Sequence, residues 1–139
     1  MKVCGLMLFL AVIFVFNGCS TDNTHEKNDM VSGTWSLINV SGGFAGIDVD
    51  FEKGKIVWKF DAKDETLIVA NNDGSNAIYN GLPTGTYTYS ILQEKDQYYL
   101  QINDKEIGGI VVDKSQLVLD QNKTSMGSGA DGFAMVLAR

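Results

Sequence analysis

The sequence predicts an all-β chain and, more narrowly, an eight-stranded antiparallel up-and-down barrel. Three observations carry that reading. Short runs in which apolar and polar residues alternate recur along residues 33–139, each ended by residues that favour turns. The composition suits strands, with one Pro, 15 Gly and abundant Thr, Tyr, Val and Ile. No window of helical length carries a clean apolar stripe with a 3.6-residue period.

The runs follow in order. The first spans Gly33 to Ser41. The second, Lys55 to Phe60, sets Ile56, Trp58 and Phe60 against Lys55, Val57 and Lys59. The third, Glu65 to Ala70, stops at Asn71-Asn72-Asp73-Gly74, a strong turn signal. After Pro83, the run Gly85 to Leu92 places Tyr87, Tyr89 and Ile91 on one face and Thr86, Thr88 and Ser90 on the other. Gln97 to Asn103, Glu106 to Asp113 and Gln116 to Asp120 come next, joined by the short turns Asn103-Asp104-Lys105 and Asp113-Lys114-Ser115. The last run, Gly132 to Arg139, puts Phe133, Met135 and Leu137 on one side. Consecutive strands with short links suit a barrel, which closes on itself and removes exposed edges. A two-sheet sandwich is the alternative, and the long cross-over connections it needs are not evident.

The amino terminus has a different character. Lys2 provides a positive charge, and Val3 to Phe16 form an apolar stretch of signal-peptide length. That stretch falls short of the about 20 apolar residues of a membrane-spanning helix. Gly18 and Cys19 follow, and the run resembles a bacterial lipobox, with Phe16 and Asn17 departing from the usual Leu and small residue. The resemblance implies a signal peptide over 1–18 and acylation (a palmitate-type modification) of Cys19 as the mature first residue. Each buried methylene contributes about 0.8 kcal/mol, so several chains anchor a protein firmly. Ser20, rather than Asp, after the Cys points to the outer membrane. Cys4 leaves with the leader, so no thiol pair remains for a disulfide. Residues 19–32 are polar and are expected to form a flexible tether, reaching ~45 Å when extended.

Loss of Lys2 with the leader leaves 10 of the 11 basic residues against 17 acidic ones, a net charge of −7. So acidic a surface argues against nucleic acid and against peripheral binding to anionic lipid heads.

Gly33-Thr34-Trp35 opens the first strand and Arg139 closes the last. This resembles the lipocalin pattern, and more closely the short lipocalin-like domains of bacterial lipoproteins. The resemblance implies that 33–139 is one barrel domain whose base is plugged by Trp35, with the Arg139 guanidinium over its ring, a contact of ~0.5–2 kcal/mol. The helix that packs beside lipocalin barrels is not expected after Arg139, a departure from that pattern.

A barrel of this size is either filled by side chains or wide enough for one small ligand. Trp58, Phe60, Tyr87, Tyr89, Tyr98, Phe133 and Met135 are expected to share the inner face, leaving at most a shallow aromatic cavity for a small hydrophobic or amphipathic molecule. The longest loop, 42–54, offers Phe44, Ile47 and Phe51 as a lid, and a second flexible stretch spans Ser125–Asp131.

Enzyme chemistry finds little support. His25, the one histidine, sits in the tether, where it cannot be held as a general base. With Cys19 acylated, thiol catalysis and Cys/His zinc sites are excluded. Asp48, Asp50 and Glu52 share one side of an extended backbone, yet Lys53 stands where an EF-hand loop needs Gly, so a solvated face is the better reading. No metal, cofactor or nucleic-acid site is expected. The expected function is a membrane-anchored module holding a small hydrophobic or amphipathic molecule; the alternative is a filled barrel that presents its loops to another envelope protein.

Overall fold

The computed structural model describes residues 23–139. The segment 1–18 expected to be a signal peptide, Cys19 and the three residues after it lie outside the described residues. The chain forms a helix α1 (Asn23–Asp29) and strands β1 (Gly33–Gly42), β2 (Ile47–Asp50), β3 (Ile56–Asp61), β4 (Thr66–Asn71), β5 (Gly85–Glu94), β6 (Gln97–Ile102), β7 (Lys105–Val112), β8 (Gln116–Asp120), β9 (Lys123–Thr124), β10 (Gly127–Ser128) and β11 (Phe133–Ala138). The sheet order is β11-β8-β7-β6-β5-β4-β3-β1-β2, and β11 pairs back onto β1. The result is a closed, eight-stranded antiparallel barrel with β2 as an extra strand. Closure leaves no sandwich, because the first and last barrel strands are hydrogen-bonded neighbours from Ser36↔Ala138 to Gly42↔Phe133.

Alternation in sequence becomes alternation in burial. Along β3, Ile56, Trp58 and Phe60 turn inward and Lys59 outward; along β8, Leu117 and Leu119 turn inward. The tight link between β6 and β7 uses Asn103 and Asp104 at φ 49° and 62°, the left-handed conformation that Asn and Asp tolerate best.

Antiparallel order assigns the connections to two ends. The base holds the start of β1, the β3–β4, β5–β6 and β7–β8 turns, and Arg139. The rim holds the β1–β2 turn, the long β4–β5 loop, the β6–β7 turn and the segment between β8 and β11.

Two segments depart from the sequence expectation. The first is loop 42–54. It contains β2, which pairs with the upper half of β1 (Asn39↔Asp50 to Gly42↔Ile47), on the same edge of β1 that β3 takes lower down, from Gly33↔Phe60 to Ser36↔Val57. A register shift between Leu37 and Asn39 marks the change of partner. Ile47 and Val49 alternate with Asp48 and Asp50, so the strand pattern is present in the sequence.

The second is the expected tether. From Asn23 onward it is a helix docked on the base, and the flexible reading gives way there. The cause is an incomplete ladder. β4 stops at Thr66, opposite Thr88, whereas β5 continues to Glu94, so the lower edge of β5 lacks a partner strand. Asn28, fully buried, takes that place. Its Oδ1 accepts the Ile91 N–H at 2.9 Å, its Nδ2 donates to Glu65 Oε1 at 3.2 Å, and its carbonyl accepts the Tyr89 hydroxyl at 3.1 Å. Val31 then buries its side chain completely in the core.

Gly108 tests how tightly the far side is packed. A Cβ there would lie 2.4 Å from the Asp120 carbonyl oxygen and 2.8 Å from its carbon, backbone that cannot rotate away. Gly108→Ala is expected to force β7 off the chain leaving β8 and to cost ~1–3 kcal/mol, measured by urea unfolding.

Candidate functional site

The candidate site is the barrel interior together with its two closures. At the base, Trp35 is fully buried and its Nε1 donates to the Val31 carbonyl at 2.7 Å. The Arg139 guanidinium lies 4.2 Å from the centre of that ring and donates to the Ser32 carbonyl at 2.7 Å. Gly33, at φ +112°, has Arg139 Nη2 only 3.7 Å from where a Cβ would stand. The three residues of the Gly-x-Trp…Arg pattern therefore meet in one place, and the Val31–Ser32 backbone locks them together.

The interior above this plug is occupied. Trp58 and Met135 are fully buried, and Phe60 and Tyr89 are 2% and 3% exposed. Phe60 meets the edge of Tyr89 at 4.9 Å and 80°, and Trp58 lies tilted against Phe60 at 6.2 Å. Burial, with Asp61, Asp29 and Glu65 nearby, raises the Tyr89 hydroxyl well above the usual phenol range, so it stays a neutral donor to Asn28. Leu37, Leu67, Leu100, Leu117, Leu119 and Leu137 fill the remaining space. Tyr87, Tyr98 and Phe133, the other residues expected on the inner face, are half-buried against this core. Tyr87 donates to the Pro83 carbonyl at 2.8 Å, and Tyr98 lines a cleft of about 390 Å³ at the base with Glu26, Lys27, Met30 and Gln93.

Phe44 is 94% exposed at the tip of the β1–β2 turn. It does not cover the mouth, while Ile47 and Phe51 pack along the side of the core. The cover is the β4–β5 loop, residues 72–84, which sequence reasoning passed over. Its Tyr79 stacks on Phe133 with centroids 4.3 Å apart and planes 4° from parallel. Tyr79 Oη accepts from Gln121 Nε2 at 3.1 Å, and burial raises its pKa. Gly81, at φ +85°, sits where a Cβ would be 3.2 Å from Leu37 and 3.5 Å from Trp58. The left-handed φ and this close approach both favour glycine at the point where the loop settles on the core. The ends of the loop are fixed by Thr84 Oγ1, which accepts the Asn71 N–H, and by Asn71 Nδ2, which donates to the Asn80 and Leu82 carbonyls. Hydrogen bonds from Ser75 and then Asn80 hold the Asp73 carboxyl below its usual range. The Asn-rich turn read from the sequence thus fastens one end of this cover. The signal that could have revealed it is Tyr79 and Leu82, two large apolar-bodied residues inside an otherwise polar loop.

One polar atom under this cover is unsatisfied. The Trp58 indole N–H is buried and has no acceptor among the described residues. Leaving such a donor unpaired costs about 1–3 kcal/mol.

Outside the barrel, Val111, Val118 and Val136 stand in register across β7, β8 and β11, with Ala134 beside them. Val111 is 64% exposed. Ile78 and Met126, on separate rim loops, are 71% and 98% exposed. Asp48 and Asp50 both accept from Asn39 Nδ2, at 2.8 and 2.9 Å, so their shared face is tied to a neighbouring amide. Among the described residues no group of three or more His, Cys, Asp or Glu side chains could hold a metal ion. In the second flexible stretch, Ser125 is pinned by the Glu106 carboxylate, at 2.8 Å from its N–H and 2.6 Å from its hydroxyl. No protein family, no curated protein and no solved structure matches the chain.

Proposed function

We propose that this protein is a lipid-anchored, lipocalin-like barrel of the bacterial cell envelope that acts as an interaction module for another envelope protein. The filled interior is the observation that carries the reading: Trp35, Trp58, Phe60, Met135 and the leucines around them occupy the space a ligand would need. Surface features support it. The valine row on β7, β8 and β11 and the apolar tips Phe44, Ile78 and Met126 are what a partner would cover. Anchoring rests on the lipobox ending in Cys19, and Ser20 after it favours the outer membrane. Cys19→Ser is expected to leave the fold intact and to move nearly all of the protein from the membrane to the soluble fraction. Continued anchoring would refute the lipidation.

A second reading has its own observation. The unpaired Trp58 N–H beneath the β4–β5 loop favours a small neutral molecule with a hydrogen-bond acceptor, admitted when the loop lifts. Native mass spectrometry of the protein purified from its envelope separates the two. The mass of the acylated chain alone is expected. A bound small molecule that disappears in Trp58→Phe would instead establish the second reading.

A further inference from the structure

The helix at the base limits how the barrel can stand on a membrane. Counting from Cys19, the polar segment to Ser32 would span ~45 Å if it were free and extended. It is not free from Asn23 onward. Asn28 is inserted into the edge of β5, Val31 is in the core, and the Val31 and Ser32 carbonyls receive the Trp35 indole and the Arg139 guanidinium. Between Cys19 and Asn23 there are four Cα–Cα steps, a reach of about 14 Å at most.

The height of the barrel decides what that reach permits. β1 and β5 have 10 residues each. At ~3.3 Å per residue and a tilt of ~40°, such a strand rises about 25 Å along the barrel axis. A free segment of ~45 Å would exceed this height and allow any orientation, whereas ~14 Å does not.

Resting on the proposed acylation of Cys19, we infer that the barrel is held with its base, the α1 end, facing the bilayer. The rim, with Phe44, Ile78 and Met126, is held away from it. The clasp of Asn28 and Val31 on the base is an orienting device, and the partner-facing end of the molecule is the one remote from its own membrane.

The full chain, acylated and reconstituted in phosphatidylethanolamine/phosphatidylglycerol vesicles, tests this. With Cys19 occupied by lipid, Lys114→Cys in the β7–β8 turn labels the base and Met126→Cys labels the rim, both at exposed positions. Lipids carrying a nitroxide on the headgroup quench only nearby fluorophores. The base label is expected to be quenched several-fold more than the rim label. Inserting ten Gly/Ser residues between Asp22 and Asn23, which leaves the barrel untouched, is expected to abolish the difference. Equal quenching without the insert, or a difference that survives it, would overturn the inference. The mass of the reconstituted protein keeps the two ideas apart. An acylated chain with equal quenching defeats only the orientation, whereas a chain without acyl groups defeats the anchoring and the orientation with it.

Discussion

Trp35→Ala is expected to destabilise the domain by ~3–5 kcal/mol. The substitution removes the largest plug at the base, leaves the Val31 carbonyl without its 2.7 Å donor, and takes away the ring beneath Arg139. It also deprives Trp58 of the residue opposite it across β1 and β3. A small domain has about 5–15 kcal/mol in total, so much of the population would unfold at moderate temperature. Thermal unfolding followed by circular dichroism measures the effect, and a loss under ~1 kcal/mol would show that the ring is not the base plug. Trp35→Phe separates the contributions. It keeps most of the apolar volume and loses the N–H, and is expected to cost ~1–2 kcal/mol.

Asn28→Ala has the second-largest expected effect, ~2–3 kcal/mol. Its carboxamide substitutes for the strand that β5 lacks, so truncation leaves the Ile91 N–H and the Glu65 carboxylate without their partner. Either the Ile91 N–H stays buried and unpaired, or α1 lifts and water reaches it, which limits the loss. Hydrogen exchange distinguishes the two: the Ile91 amide is expected to exchange far faster, and amides of β8 and β11 on the opposite side are not. Asn28→Asp keeps the acceptor for Ile91 but sets a second carboxylate against Glu65. It is expected to be intermediate between the native protein and Asn28→Ala.

The barrel strands were legible because each repeats a period of two and ends at turn chemistry. Trp58 between Val57 and Lys59, or Leu117 and Leu119 around Val118, reads the same way in one dimension as in three. The Gly33, Trp35 and Arg139 constellation was legible as well, through resemblance. What escaped depends on single residues. One amide, Asn28, and one valine, Val31, dock the polar segment, too little apolar surface to register as a helix that folds. Ile47 and Val49 alternate over only four positions after a glycine-rich stretch, so β2 was hidden inside a loop. The residues expected to line or cover the interior divided by depth. Trp58, Phe60, Tyr89 and Met135 are sealed in the interior, Tyr87, Tyr98 and Phe133 are half-buried, and Phe44 is in solvent. Alternation reports which face a side chain takes but not how far along the axis it sits. The cover of 72–84 was missed because its contacts, Tyr79 on Phe133 and Gly81 over Leu37, join positions far apart in the chain.

The seam between β1 and β11 sets the time at which this fold can come into being. Leu37 pairs with Leu137, so the first barrel strand waits for the last. Until that strand is in place, the other seven can form only an open sheet with two unpaired edges. Joining ends about 100 residues apart costs roughly 4 kcal/mol in chain entropy, recovered only when the final strand locks in. Closure of the barrel is expected to be a late step of folding, because it needs both β1 and β11 at once. Shortening it by those few residues should yield a sticky sheet rather than a slightly weaker barrel.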